Sequence, residues 1–490
     1  MAPTPENATL LQGFEWNVPA DQKHWKRLTA ILPALKEIGL DAVWLPPACK
    51  GAGGSNANGY DIYDLYDLGE FEQKGSRSTK WGSKEDLDAL VARTEETGVG
   101  LVVEVDNDNR NQDKGEPYEI EAWLGFDFPG RGDKYSKQKY HWEHFSGTDY
   151  DAGNDRTAIF RIVGDNKHWS NSVADESGNA DFLMFADVDY AHPEVISDVT
   201  HWGEWVVKTL KLKGFRLDAV QHFSERFTNE WVANLEKHFG KDKIFLVGEF
   251  WSGNVQEMLK WLEDMHHHFT LYDSPLVYNF SRISTSERGD LRKVFDGSLV
   301  QARPESAVTC VMNHDTQPGQ TVATKIEGFF KPLAYALILL RQSGYPCVFY
   351  GDLFGMKGDN PEEPSCGGKL AHLILARKLF AYGEQNDYFD ENANCIGFVR
   401  RGTEDRKAGC AVVMSNADPG QKKMFVGEEH KGENWTDLLG WQTDEVKIED
   451  DGFGVFKCSG TSVSVWVGKE AEGRDKVDAL KFDDDIYAMA

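Results

Sequence analysis

Three acidic residues stand at the ends of short apolar runs that are far apart in the chain. Asp218 lies in GFRLDAVQHF, Glu249 in IFLVGEF and Asp315 in AVTCVMNHD. If each run is a strand of one parallel barrel, the three carboxylates meet at its carboxyl-terminal mouth. Two carboxylates at one site can cleave a glycosidic bond, one as nucleophile or general base and the other as general acid. A single acid after a strand would more often cap the next helix.

Arg216 lies two residues before Asp218, so on a strand both side chains point to the same side. A buried ion pair rarely stabilises a fold enough to offset its desolvation, so this pair indicates a catalytic role. The guanidinium would hold Asp218 charged and oriented, as a nucleophile requires. Glu249 has apolar strand neighbours and other carboxylates nearby. It should keep a proton to donate, because burial and like charges raise the pKa of an acid.

Apolar runs alternate with amphipathic helical stretches over most of the chain. Eight runs qualify as strands: LLQGFEW, DAVWLPP, GLVVEV, GFRLDAV, IFLVGEF, FTLYDSPL, AVTCVMNHD and PCVFYGD. Ser83 and Asp86 have the spacing of a capping box, and Pro193 opens a helix that leads into GFRLDAV. The alternation predicts an α/β protein built on a (β/α)8 TIM barrel, although a doubly wound open sheet would alternate in the same way.

Two changes of pattern divide the chain into domains. We expect the barrel, domain A, from residues 1–105 and 192–390, with a shortened inserted domain B over residues 106–191, after the third strand. Short alternating runs between turn residues predict an antiparallel β-sandwich, domain C, over residues 391–470. Residues 471–490 are polar and are expected to form a loosely held tail.

Composition argues against two classes of partner. The 490 residues include 80 acidic and 53 basic side chains, and the net charge of −27 repels nucleic acid and anionic membranes. No stretch has the apolar length of a membrane span, and no basic region followed by an apolar run marks a secretory signal. The seven cysteines are odd in number and lack CxxC spacing, which favours reduced thiols. We therefore expect a cytoplasmic protein, and a monomer.

The motifs resemble those of the α-amylase family of glycoside hydrolases. GFRLDAVQHF is similar to the family's nucleophile motif, GEFW to its acid/base motif and VMNHDTQPGQ to its third-acid motif. GYDIYDLYDLGEFEQKG and FADVDYAHPEV are similar to stretches of the liquefying-amylase branch. With no signal visible, the chain looks like an intracellular fungal member. The resemblance covers about residues 8–467.

This resemblance implies a retaining hydrolase that cleaves α-1,4 bonds within starch, glycogen or maltodextrin chains. Asp218 would be the nucleophile, Glu249 the acid/base and Asp315 the transition-state stabiliser. Further substrate contacts would come from Arg216, His314, Tyr60, Gln12, Gln221 and His222. A retaining 4-α-glucanotransferase and a catalytically impaired glucan-binding protein are the alternatives, since another sugar can intercept the covalent intermediate and one family motif is altered.

The altered motif follows the third strand, where the family carries Asp-x-x-x-Asn-His and this chain reads GLVVEVDNDNRNQD. In one alignment Glu104, Asp108 and Asn109 replace the family's Asp, Asn and His. In the other, which we favour, the motif and the loop behind it are deleted. The family's histidine is absent in both.

The same motif supplies an asparagine to a structural calcium in the family, so its loss bears on metal binding. Calcium prefers six to eight oxygen ligands, several of them carboxylates. Asp181 and Asp187 remain as candidate ligands, together with the backbone oxygen of His222. Relatives that bind the metal carry carboxylates where this chain has Ser146, Ser170 and Ala191. We expect no required cofactor and a calcium-free or weakly binding enzyme.

Overall fold

The computed structural model describes residues 7–105, 118–174, 181–287, 289–483 and 485–490. The predictions for Asp108 and Asn109 lie outside the described residues, as does the side chain of Glu104.

Eight parallel strands close into a barrel. They are the eight predicted strands, labelled β1 to β8: Leu10–Gln12, Ala42–Trp44, Gly100–Val105, Gly214–Leu217, Phe245–Gly248, Thr270–Tyr272, Ala307–Cys310 and Tyr345–Phe349. Each strand pairs with the next one along the chain, and β8 pairs with β1. The predicted (β/α)8 barrel is confirmed. The open-sheet alternative is wrong, because β1 and β8 would then be unpaired edges.

The register of β4 and β5 positions the two principal acids. Arg216 on β4 pairs with Val247 on β5, and Leu217 pairs with Gly248. The next residue of each strand is Asp218 or Glu249, so the two acids leave the barrel side by side. Strands in a closed barrel are packed on both faces, which explains why these runs are apolar almost throughout.

Helices follow most strands and cover the outside of the barrel. We label them α1 to α11: His24–Glu37, Lys84–Thr97, Pro193–Leu210, Glu225–Phe239, Val255–Asp264, Ser274–Ser284, Leu299–Ala302, Lys331–Leu340, Tyr350–Phe354, Leu370–Phe380 and Arg474–Ala479. Ser83 and Asp86 form the predicted capping box of α2, and Pro193 is the first residue of α3. Among the described residues, no helix is long and apolar enough to cross a membrane.

Two small sheets are built into the loops at the carboxyl-terminal face of the barrel. Lys50–Gly51 pairs with Ile62–Asp64 in the loop after β2. Between β3 and α3, Phe145–Asp151 pairs with both Arg156–Arg161 and Ala186–Val188 in an antiparallel sheet. Both sheets therefore lie on the side of the barrel where the strands end.

The C-terminal region forms two antiparallel sheets. The larger sheet has six strands, in the order Gln385–Tyr388, Cys395–Arg400, Cys410–Ser415, Ser462–Gly468, Asn434–Asp437 and Val446–Lys447. The smaller sheet pairs Gly420–Phe425 with Phe453–Cys458. Val399, Met424 and Phe456 lie in the core between them. The predicted antiparallel β domain is confirmed.

The polar C-terminal tail is not loosely held, so that prediction is wrong. Val477 and Ile486 are at most 1% exposed. The side chain of Lys23 on the barrel donates a hydrogen bond to the backbone oxygen of Ala490. Two apolar side chains in a polar stretch are enough to anchor the tail, because each finds a buried position.

Candidate active site

One guanidinium contacts both of the predicted principal acids. Arg216 is fully buried, its Nη1 contacts Oδ1 of Asp218, and its Nη2 lies 3.1 Å from Oε2 of Glu249. The guanidinium carbon lies over the Trp44 ring, 4.9 Å from the ring centre, so the ring helps to hold the guanidinium in place. Both acid side chains are only 13% exposed, so these charge interactions operate in a region of low dielectric.

The backbone between β4 and the next turn brings the two acids together. Ala219 has φ +42°, in the left-handed region that residues with a Cβ rarely adopt. In this conformation its N–H donates to Oε2 of Glu249 at 3.2 Å, and the next N–H, of Val220, donates to the Glu249 carbonyl at 3.0 Å. Such strain costs about 1–3 kcal/mol and is typical of functional sites.

His314 links the third acid to the residues predicted to contact sugar. Nε2 of Gln12 donates to Nδ1 of the buried His314 ring at 3.0 Å. The ring Nε2 lies 2.5 Å from the Tyr60 hydroxyl oxygen and 3.2 Å from Oδ2 of Asp315. Burial, and then the charge of Arg216, hold the pKa of His314 well below its ordinary value. The ring is therefore neutral and carries its hydrogen on Nε2.

Burial and mutual repulsion raise the pKa of two of the acids. The pKa of Glu249 lies well above its ordinary value, chiefly through burial and further through Asp218 and Asp315, while Arg216 opposes the shift. Burial, and then the charge of Asp218, raise the pKa of Asp315 to about 7. A glutamic acid that keeps its proton beside an arginine-paired aspartate has the division of roles that an acid and a nucleophile need.

An aromatic platform that the sequence analysis missed borders this cluster. The half-buried Trp16 stacks on Tyr60, with ring centres 5.5 Å apart, and on His314 at 5.9 Å. Phe14 and Trp44 also contact the His314 ring, at 5.0 and 5.7 Å. The run LLQGFEW contained the signal, but an aromatic residue after a strand is more often part of the core.

Gln221 and His222 lie in the short turn Val220–His222, directly after the β4 acid. The carbonyl of Gln221 accepts a hydrogen bond from the N–H of Ala174 at 3.3 Å, which ties the turn to the inserted region. The structure thus places both residues at the barrel mouth. Their contacts with sugar stay predictions.

The two candidate calcium ligands lie in the inserted region. The hydroxyl of Ser146 donates to Asp187, and the N–H of Ser170 donates to Oδ2 of Asp181 at 2.6 Å. Burial raises the pKa of Asp181 to about 6, and burial with the charge of Asp181 raises that of Asp187 well above its ordinary value. Each of the two carboxyl groups therefore accepts a hydrogen bond from a serine on one oxygen. These two carboxyl groups alone supply fewer oxygens than the six to eight that calcium usually binds.

A (β/α)8 barrel whose mouth holds buried carboxyl groups around one guanidinium has the arrangement expected of a glycoside hydrolase. The model of the alpha amylase catalytic domain matches residues 19–408, and that of the alpha-amylase C-terminal domain matches residues 411–467. The chain belongs to the alpha-amylase family, as the resemblance of its motifs predicts.

Known proteins are similar to this chain over nearly its whole length. A glucan 1,4-alpha-maltohexaosidase from Bacillus sp. (strain 707) is 42% identical over 487 residues, covering 94% of this chain and 93% of the relative. A cytoplasmic alpha-amylase from Escherichia coli (strain K12) is 40% identical over 494 residues, covering 95% and 99%. The crystal structure of an alpha-amylase from Geobacillus thermoleovorans, complexed with acarbose, has a TM-score of 0.63 at 18% identity and covers 95% and 98%. That structural likeness shows the fold.

The raised pKa of Asp315 predicts that this acid lowers stability at alkaline pH. The folded state binds its proton more tightly than the unfolded state, so stability falls as pH rises from the ordinary value of 3.8 to about 7. Asp315→Asn removes this effect. Calorimetry should show a Tm gain of roughly 2–4 °C at pH 8 and a smaller gain at pH 5.

The matched control is Asp405→Asn on an exposed hairpin, which should leave Tm unchanged at both pH values. A gain for Asp315→Asn that is equal at the two pH values, or larger at pH 5, would contradict the assigned pKa direction.

Proposed function

We propose that this enzyme hydrolyses α-1,4-glucosidic bonds inside starch, glycogen or maltodextrin chains, with retention of anomeric configuration. The observation that carries the proposal is the contact of Arg216 with both Asp218 and Glu249. Retaining enzymes hold their two carboxyl groups about 5–5.5 Å apart, and inverting enzymes about 6.5–9.5 Å apart, to leave room for water. Two carboxyl groups that share one guanidinium favour the shorter spacing.

In the first step Asp218 attacks the anomeric carbon, and Glu249 gives its proton to the glycosidic oxygen. The carbon–oxygen bond breaks, the shortened chain leaves with that proton, and a covalent glycosyl–aspartate ester remains. His314 and Asp315 are placed to bind sugar hydroxyls, which helps to distort the ring toward the transition state. The strongly buried charges act without solvent rearrangement.

In the second step Glu249, now ionised, acts as a general base. It takes a proton from a water molecule while the oxygen of that water attacks the anomeric carbon. The ester bond to Asp218 breaks, and the aspartate leaves as a carboxylate. Arg216 stabilises this leaving group, because its guanidinium already contacts Oδ1 of Asp218. Both acids then have their starting protonation, and the product keeps the α configuration.

The names of the relatives support hydrolysis over transfer. The relatives from Bacillus sp. (strain 707) and Escherichia coli are named as a maltohexaosidase and an alpha-amylase, and both are at least 40% identical to this chain. The name of the second also supports a cytoplasmic location. Fungal origin, the liquefying branch, the altered third-strand motif and the monomeric state stay predictions.

Substituting either acid should abolish hydrolysis without unfolding the protein. With maltoheptaose, Asp218→Asn and Glu249→Gln should each lower kcat by at least about a thousandfold, because each removes one chemical step of the double displacement. Asp405→Asn serves as the matched surface control. The measurement is the release of reducing ends, with products separated by chromatography.

The product pattern distinguishes the proposed function from its alternatives. New reducing ends that disappear in both acid variants support hydrolysis. Longer oligosaccharides without net reducing ends would identify a glucanotransferase. Binding of maltoheptaose without any turnover would identify a glucan-binding protein, and either result would overturn the proposal.

We also propose that the enzyme works without calcium, because Ser146 and Ser170, which donate to Asp187 and Asp181, stand where metal-binding relatives carry carboxylates. Chelator should then leave kcat and Tm unchanged, and added calcium should not raise Tm. A site filled at a hundred times its dissociation constant would instead stabilise the folded state by about 2.7 kcal/mol. Loss of activity or a fall in Tm in chelator, reversed by calcium, would refute calcium independence.

A further inference from the structure

The C-terminal tail reaches the loops that frame the active site. The matched family models end at residue 467, so residues 468–490 lie beyond them. The tail nevertheless packs against the barrel: Phe482 contacts Phe354 with ring centres 5.8 Å apart, and Ile486 is buried. The segment Tyr350–Phe354 directly follows β8, so the tail docks at the carboxyl-terminal face, where the substrate must bind.

Tyr487 is the tail residue that contacts side chains of several barrel segments. Nζ of Lys357 lies over the Tyr487 ring, 4.6 Å from the ring centre. The guanidinium carbon of Arg27 lies 5.4 Å from the centre of the same ring. The Tyr350 ring meets it edge-on at 6.4 Å. A cation held over an aromatic face contributes about 0.5–2 kcal/mol, depending on its desolvation. Tyr487 therefore holds the Lys357 side chain, and with it the loop that follows α9.

The backbone of the Lys357 loop also contacts the buried carboxylate of Glu15. The N–H of Lys357 donates to Oε1 of Glu15 at 3.3 Å. Gly358 lies so close to Asn17 that an added Cβ would come within 2.6 Å of it. Glu15 is fully buried, and it also accepts hydrogen bonds from the N–H of Asn17 at 2.7 Å and from Nε2 of Gln317 at 3.1 Å.

Glu15 in turn sets the position of the aromatic platform. Oε1 of Gln317 accepts a hydrogen bond from the N–H of Trp16 at 3.0 Å, so the two residues that follow Glu15 are held by the same network. Trp16 stacks on Tyr60 and His314, which are predicted to contact sugar. Continuous contacts thus connect the end of the chain to the substrate cleft.

We propose that Tyr487 is a positioning residue, which presses the Lys357 loop onto Glu15 and so fixes Trp16 for binding of the glucan. The inference rests on the proposed function, since it concerns substrate binding at that site. Tyr487 touches none of the reacting groups in this scheme. Its loss should weaken substrate binding and leave the bond-breaking steps almost unchanged.

The test compares the kinetics of Tyr487 variants on maltoheptaose well below Tm. Tyr487→Ala should raise KM about threefold to tenfold and change kcat by less than about twofold. Tyr487→Phe keeps the aromatic face and should restore KM. Tyr487→Leu keeps the bulk but not the face, so its KM should resemble that of Tyr487→Ala.

Phe482→Ala is the matched control, because it weakens the tail at a position that packs on Phe354. It should lower Tm and leave KM unchanged. If Tyr487→Ala also lowers Tm without raising KM, the tail is only a structural anchor and the inference is wrong. If Tyr487→Ala does not fold, Lys357→Met removes the ammonium group from the ring and should raise KM; an unchanged KM would overturn the inference.

Calorimetric binding of maltoheptaose separates this inference from the proposed function. If the wild type binds but does not hydrolyse, the proposed function fails, and a dissociation constant raised threefold to tenfold in Tyr487→Ala still supports the positioning role. If the wild type hydrolyses and the variant binds equally well, only the positioning role fails. Absence of binding by the wild type would overturn both.

Discussion

The Arg216 guanidinium is the interaction on which the site depends. It is a fully buried cation beside three acids, and it lowers the pKa of both Glu249 and Asp315 against the opposite effect of burial. Burial, and then the same charge, lower the pKa of His314 and keep the ring neutral. Because the register of β4 and β5 and the face of Trp44 fix the position of Arg216, this side chain holds Asp218 and Glu249 together and opposes the effect of burial on the pKa of Glu249 and Asp315. Without that cation, like charges in a low dielectric would repel each other.

The surrounding structure holds an arrangement that is locally unfavourable. Ala219 adopts a left-handed backbone, and buried acids such as Glu249 have raised pKa values. Both features lower the stability of the fold while they keep the catalytic groups in this arrangement. The closed barrel, the aromatic platform and the docked tail offset this with apolar burial and hydrogen bonds. Glu15 shows how the support extends outward, since one buried carboxylate connects three backbone or side-chain donors from separate loops.

The sequence predicted the features that depend on local pattern. All eight barrel strands are apolar runs long enough to recognise. Asp218 and Glu249 follow their strands directly and Asp315 lies in the loop after β7, so the topology alone brings them to one mouth. The tail and Trp16 could not be predicted in the same way. Their positions follow from contacts between residues more than a hundred positions apart, such as Lys357 with Tyr487 and Trp16 with Gln317. Val477 and Ile486 are isolated apolar residues in a polar stretch, and their spacing does not predict that they are buried.

Trapping of the covalent intermediate tests the central claim most directly. A maltosyl fluoride slowed by a ring fluorine should form an ester with the proposed nucleophile, because the fluoride leaves without help from an acid while the ring fluorine slows hydrolysis of the ester. Mass spectrometry of the digested protein should then find the sugar on the peptide that carries Asp218. A label on Glu249 or elsewhere, or products of inverted configuration with no label, would contradict the account.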